Sequence, residues 1–319
     1  MSKPKLLIAD SNLAAAWLTP VWQEFFNIEP YDHNTEYAAG SIVITDNRGG
    51  GELERYQRIK QHDYRIILSY LMDSNVNQTC ETINGEFVLR ARDWMWIQES
   101  LQWRSWNYHV PREPSEPSKF MLLLMNIRRD ARDRLLAQVT PYLDSSLYSY
   151  VEKGILLPGD IFVQNPFNAG TANDRLYVPD WYAQTCFSLV SETSVKNELF
   201  ISEKIFKPLA YNHPLIVYGC PGTLEYIRSL GFGTFGHRID ESYDSVPNDG
   251  RDISTARLVK IAQVLEDLYE EFAQTGTVFQ DARTQEILQH NQALFFDQVR
   301  VSDLFRQQVV EPIMEFIES

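Results

Sequence analysis

An α/β fold of two doubly wound lobes is predicted by three features of this 319-residue chain. Short apolar runs ending in polar residues recur along it, stretches with helical spacing separate them, and a proline-rich polar segment divides the series in two. The length is too great for one small core and suits two domains of ordinary size.

Lys5-Leu-Leu-Ile-Ala-Asp10, Ser41-Ile-Val-Ile-Thr-Asp46 and Tyr64-Arg-Ile-Ile-Leu-Ser69 read as buried parallel strands. Ala14 to Phe26 and Gly51 to Gln61 carry the helical spacing between them. In the stretch Asp93 to Tyr108, Trp94, Trp96, Trp103 and Trp106 are assigned to the core, the alternative being a surface on which an acceptor stacks. His109-Val-Pro-Arg-Glu-Pro-Ser-Glu-Pro-Ser-Lys119 has the composition of a linker. The first lobe is therefore placed at residues 1–112 and the second at residues 119–300.

The second lobe restarts the series with Lys119-Phe-Met-Leu-Leu-Leu-Met-Asn126. Asp160-Ile-Phe-Val, Phe187-Ser-Leu-Val and Pro214-Leu-Ile-Val-Tyr-Gly219 continue it. Leu258, Ile261, Leu265, Leu268 and Phe272 line one helical face. Leu304 to Ile317 forms a last apolar-rich helix interrupted by Pro312, and residues 301–319 are expected to pack back on the first lobe.

Hydrophobic residues at 44% and aromatics at 13% exclude a disordered chain. The 43 acidic against 29 basic residues, a formal charge of -14, oppose general binding to a phosphate backbone, so nucleic acid is not the expected partner. Cys80, Cys186 and Cys220 form an odd set without metal-ligand spacing, and Met1-Ser-Lys-Pro lacks the apolar core of a signal peptide. A reducing, cytoplasmic setting is expected. No apolar run approaches the roughly 20 residues that cross a bilayer, so no transmembrane segment is expected.

Chemistry concentrates in Phe187-Ser-Leu-Val-Ser-Glu192-Thr-Ser, followed by Leu199-Phe-Ile-Ser-Glu203-Lys204-Ile-Phe-Lys207-Pro-Leu-Ala. A strand ends in one carboxylate and a helix begins with another. Ser202 suits an N-cap, and a helix starting there points N–H groups at the mouth of the sheet, where a diphosphate binds favourably. Lys204 and Lys207 add cationic charge, while Glu192 and Glu203 can accept hydrogen bonds from sugar or ribose hydroxyls. Read singly, Glu203 and Lys204 are equally ordinary charges of a first helical turn.

The order of these segments, ending in Pro-Leu-Ile-Val-Tyr-Gly, resembles the donor-binding region of the α1,3-fucosyltransferase family. There the pattern is close to Phe-x-Leu-x-Phe-Glu-Asn-Ser, then Tyr-x-Thr-Glu-Lys, then an apolar strand ending near a glycine. The resemblance implies that Glu192, Glu203 and Lys204 are donor ligands, with Ser202 in the threonine position. Ser191 and Thr193 replace the Phe and Asn beside the family glutamate, which leaves the donor base and sugar open. Gly222 to Phe235, Ile239 to Asp244 and His290-Asn-Gln-Ala-Leu-Phe-Phe296 look instead like a group of uncharacterised viral or bacterial glycosyltransferase-like proteins. The resemblance implies two Rossmann-like lobes facing across a cleft, the arrangement called GT-B. It also implies inverting, metal-independent transfer of a sugar from a nucleoside diphosphate, a GDP-sugar foremost, to a hydroxyl of a glycan or similar acceptor. No resident cofactor is expected, the nucleotide sugar being a co-substrate.

Asn126-Ile-Arg128-Arg129-Asp-Ala-Arg132-Asp-Arg134 follows the first strand of the second lobe. Arg128 and Arg129 are assigned to the β-phosphate, which gains charge as it leaves. Arg132 and Arg134 are assigned to a solvated helix face paired with Asp130 and Asp133. Asp240, Glu241 and Asp244 lack the tight Asp-x-Asp of metal-dependent sugar transferases and read as a solvated loop, so no metal site is expected. His213 and His237 read as structural or surface residues. The glycines of Gly219-Cys-Pro-Gly222 either let the backbone approach a donor or cap a helix.

Inverting transfer needs a base for the acceptor proton, and Asp10, Asp46 and Asp73 all follow first-lobe strands. Asp73 falls where the family pattern Arg-x-Phe-Tyr-Thr-Gly-Glu-Asn places its glutamate and is chosen, with a turn or capping role as its alternative. Two rival functions stand beside this reading. One is a viral DNA-modifying sugar transferase, which the acidic composition opposes; the other is a catalytically silent nucleotide- or carbohydrate-binding module.

Overall fold

The computed structural model describes residues 3–9, 13, 15, 18–45, 50–71, 76–109, 116–157, 178–247 and 255–319. The chain divides into two compact units, Met1–Tyr108 with Asp297–Ser319, and His109–Phe296.

In the first unit, β1 (Lys5–Ile8) leads through α1 (Thr19–Phe25) to β2 (Asn27–Pro30). Next come β3 (Ile42–Thr45), α2 (Gly50–Ile59), β4 (Arg65–Ser69), β5 (Glu81–Ile83), β6 (Glu86–Leu89) and α3 (Trp94–Ser105). The sheet order is β2-β1-β3-β4-β6-β5. The three apolar runs of the sequence are β1, β3 and β4, rich in Ile, Leu and Val because helix-connected parallel strands are covered on both faces. All pairings are parallel except β5 with β6. That hairpin turns at Asn84-Gly85, with φ of 52° and 82°, the left-handed conformation that a two-residue turn between right-twisted strands requires. Asp10, Asp46 and Asp73 lie outside the described residues.

Trp94, Trp96 and Trp103 are buried on α3, whereas Trp106 just beyond it is 39% exposed and touches Tyr108 edge to face. Core burial thus accounts for three of the four tryptophans. The chain's last segment belongs to this same unit. It runs from the Gln298–Phe305 helix through a widened turn at Arg306–Val310 into the Glu311–Glu318 helix. Pro312 lacks an N–H and its ring crowds the carbonyl one turn back, so the helix widens ahead of it instead of breaking. Gln308 and Asp93 exchange hydrogen bonds of 2.9 and 2.5 Å, tying this segment to the start of α3.

Arg65 on β4 makes another tie. Its guanidinium donates to the carbonyls of Ile317, at 2.8 Å, and Phe316, and it lies 4.5 Å from the Phe316 ring centroid. A cation on the last carbonyls of a helix complements its negative end. Arg65→Ala is expected to cost about 2 kcal/mol through lost charged hydrogen bonds. Amide hydrogen exchange should then quicken at residues 311–318 first, and unchanged protection there would show that packing alone holds the helix.

In the second unit, β7 (Lys119–Met125), β8 (Leu147–Tyr150), β9 (Thr185–Ser191) and β10 (Leu215–Tyr218) form a wholly parallel sheet in the order β10-β9-β7-β8. The strand expected at Asp160 falls outside the described residues. β8 is Leu-Tyr-Ser-Tyr, a short edge strand without the apolar run that marks its neighbours. Phe120 on β7 meets Phe187 and Tyr269 edge to face and Phe272 at a tilt, with ring centroids 5.0–5.4 Å apart. The Thr255–Thr275 helix buries Leu258, Ile261, Leu265 and Leu268, each worth roughly 1.5–3 kcal/mol of transfer free energy. No helix among the described residues is long and apolar enough to cross a membrane.

Candidate functional site

β9 is buried along its whole length and delivers Ser191 and Glu192 to the carboxyl end of the second sheet. Hydrogen bonding continues one residue past the strand, from Glu192 N to the Tyr218 carbonyl at 3.0 Å. The Glu192 side chain, 2% exposed, accepts from Ser202 N at 3.1 Å, Ser202 Oγ at 2.5 Å and Thr193 N at 3.0 Å. Gly219 makes room for it, since a Cβ there would stand 3.2 Å from Glu192 Cγ. Gly222, at φ 78°, occupies the cap of the next helix, Thr223–Ser229.

These bonds bear on two sequence expectations. Both carboxylate oxygens of Glu192 accept from protein donors, so this residue fastens the loop to the start of the Glu203–Ala210 helix. Ser202 occupies the N-cap position but gives its hydroxyl to Glu192 and caps no helical N–H.

Within that helix Lys204 Nζ pairs with Glu203 Oε1, the two side chains being 17% and 15% exposed. Burial pushes the Glu192 carboxyl above its ordinary range, opposed by the charge of Lys204 and the Ser202 hydroxyl. Burial acts on Glu203 in the same sense, but the charge and hydrogen bond of Lys204, and then Lys207, outweigh it and hold this carboxyl below its ordinary value. Glu203 is thus an anion shared by two lysines three residues apart, which face the same side of the helix.

Lys204 and Lys207 line a cavity over the carboxyl ends of β7 and β9, together with Asn126 and Ser191. Its apolar wall comes from residues such as Leu122, Leu124 and Trp181. Neither Asn126 nor Ser191 was assigned to the site from the sequence. The available signal was their position, each a polar residue closing an apolar strand run.

The arginine loop leads from Asn126 into α4 (Asp130–Val139). Arg128 and Arg129 are exposed. Arg128 Nε donates to Asp133 Oδ2 at 2.9 Å, and Arg129 N to the Tyr150 hydroxyl at 3.3 Å. Asp133 also takes Lys153 at 2.6 Å and the Tyr150 hydroxyl at 3.0 Å. Hydrogen bonds from Lys153, then Arg128 and Tyr150, hold its carboxyl at about 2. At the cavity, the β7 end is represented by Asn126, without Arg128 or Arg129. Arg132 is buried and donates to the Ile127 carbonyl at 2.8 Å, which corrects its placement on a solvated face.

The expected solvated loop at Asp240–Asp244 is corrected as well. Asp244 is buried and accepts from the N–H groups of Leu224 and Glu225 at 3.0–3.1 Å, capping the start of the Thr223–Ser229 helix. Glu241 accepts from Arg228, Thr234 and Phe235. Only Asp240 remains exposed, turned onto Ser242. No group of three or more metal-ligating side chains occurs among the described residues. His213 is structural: Nε2 donates to the Thr185 carbonyl at 2.9 Å and Nδ1 accepts from Ser188 Oγ at 2.8 Å. His237 lies against Asp281 and Thr284.

No family model matches the sequence, and no curated protein matches it. Solved structures similar to this chain include two glycosyltransferases. One is the DNA modifying enzyme β-glucosyltransferase, in the presence and absence of its substrate uridine diphosphoglucose. It is 11% identical with a TM-score of 0.46, and the match covers 99% of this chain and 100% of that one. The other is an α1,3-fucosyltransferase, 12% identical with a TM-score of 0.46, over 95% of this chain and 93% of that one.

Proposed function

We propose that the chain is a glycosyltransferase that moves a hexose-type sugar from a nucleoside diphosphate to a hydroxyl of a glycan or similar acceptor. The observation that carries this reading is the cavity at the carboxyl ends of two central parallel strands, where ligands of such sheets bind, with Lys204 and Lys207 on its wall. The two ammonium groups suit the charge of a diphosphate, and Glu203, paired with Lys204, is kept as the candidate for ribose or sugar hydroxyls. The resemblance of these motifs to the α1,3-fucosyltransferase donor region makes a GDP-sugar the proposed donor.

In the proposed reaction a base removes the acceptor proton as the acceptor oxygen bonds to the anomeric carbon. The bond from that carbon to the β-phosphate oxygen breaks, and the diphosphate departs with the electron pair. Lys204 and Lys207 meet the charge it gains, with Arg128 and Arg129 as further candidates from the loop after β7. Attack opposite the departing diphosphate inverts the anomeric centre. Asp73 remains the proposed base.

Melting of the protein with GDP, UDP, ADP and CDP in the presence of a chelator tests this. At least one should raise the melting temperature, and the same nucleotide should bind Lys207→Met at least about tenfold more weakly, the equivalent of 1.4 kcal/mol. Binding that appears only with manganese would overturn metal independence, and indifference to all four would overturn the nucleotide reading.

A further inference from the structure

Three well-buried hydroxyls on β9 and the loop after it have protein partners. Ser188 bonds His213, Ser202 bonds Glu192, and Thr185 donates to the Trp181 carbonyl. Ser191 is 2% exposed, and its Oγ has no hydrogen-bond partner among the described residues. It lines the cavity that also receives Asn126, Lys204 and Lys207. A buried hydroxyl left in this state costs folding free energy, which a native site recovers when a ligand supplies the missing bond.

The backbone gives this hydroxyl a fixed place. Ser191 pairs with Tyr218 as the last residue of β9, and the next residue is held both by its own N–H on the Tyr218 carbonyl and by the three donors on its carboxylate. The hydroxyl is thus set at a rigid strand end and not on a loop that can turn it toward a protein acceptor.

We propose that Ser191 is a specificity-determining residue of the cavity, whose hydroxyl donates a hydrogen bond to a phosphate oxygen of the bound nucleoside diphosphate. This rests on the nucleotide reading above. A diphosphate carries more acceptor lone pairs than two ammonium groups satisfy, so a neutral donor beside Lys204 and Lys207 adds a bond without adding charge. Serine is small enough to leave the cavity open while doing so. The contact favours ligands with a phosphate at this point over the corresponding nucleosides.

The test is calorimetry of wild type and Ser191→Ala with GDP, UDP and inorganic pyrophosphate, chelator present, alongside the melting temperature of each unliganded protein. Ser191→Ala should bind pyrophosphate and the preferred nucleotide about tenfold more weakly, by the same factor for both, as loss of one charge-assisted bond predicts. Its unliganded melting temperature should equal or exceed that of wild type, because the hydroxyl satisfies nothing in the free protein. A lower melting temperature with unchanged affinity would make Ser191 structural and overturn the proposal. A loss for the nucleotide but none for pyrophosphate would move the contact to the ribose or base and overturn it in this form. If wild type binds none of the three ligands, the nucleotide reading falls and this proposal with it; if wild type binds and Ser191→Ala binds equally well, only this proposal falls.

Discussion

Glu192→Ala is expected to lose about 4 kcal/mol of folding stability, because buried donors left without an acceptor cost about 1–3 kcal/mol each. Ser202 N, Ser202 Oγ and Thr193 N would all lose their acceptor, and a void would open beside Gly219. Glu192→Gln should cost less. Its amide oxygen can occupy the Oε2 position, which takes two of the three bonds, and only the bond from Ser202 N is lost. Chemical denaturation of the three proteins measures the series. Ligand affinity should weaken alongside, because the start of the helix that carries Lys204 and Lys207 is fastened by this carboxylate. If Glu192→Ala unfolds like wild type while ligand binding collapses, the side chain is a direct ligand and its buried hydrogen bonds are incidental.

Acid should destabilise the second unit in part through His213. Burial holds His213 at about 4, below its ordinary 6.5, because the charged imidazolium is disfavoured between β9 and the turn before β10. The unfolded chain therefore binds this proton more readily than the folded one does. The stabilising contribution is complete above pH 6.5 and is lost as the pH falls toward 4, a total of about 3 kcal/mol at 1.36 kcal/mol per unit. Asp133 and Asp281, each held at about 2, contribute in a lower window, as the pH falls from about 4 to 2. His213→Gln keeps a donor for the Thr185 carbonyl and carries no titrating ring. Its stability should vary less between pH 6.5 and 4 than that of wild type, and parallel curves for the two proteins would exclude His213 as the source.

Local pattern revealed the elements with the strongest apolar signal. β1, β3, β4, β7, β9 and β10 each coincide with an apolar run, and the long helix at Thr255–Thr275 follows the spacing of Leu258, Ile261, Leu265 and Leu268. β2, β8 and the β5–β6 hairpin are short or lie at sheet edges, where one side needs no apolar cover, so their sequences carry little signal. The Asn84-Gly85 pair was the one local mark of the hairpin.

The site divides along the same line. The sequence by itself determined that carboxylates, lysines and a helix start follow β9 closely, because neighbours along the chain remain neighbours at a strand end. Only the tertiary structure decided what each group does there. Glu192 reaches Ser202 ten residues on, Asp244 caps a helix start twenty residues before it, and Arg132 turns inward to the Ile127 carbonyl. Periodicity records which face of an element is apolar, whereas the partner of a buried polar group depends on which strands lie side by side. The order β10-β9-β7-β8 brings Asn126 and Ser191 to one cavity with Lys204 and Lys207, although 81 positions separate Asn126 from Lys207 in the chain.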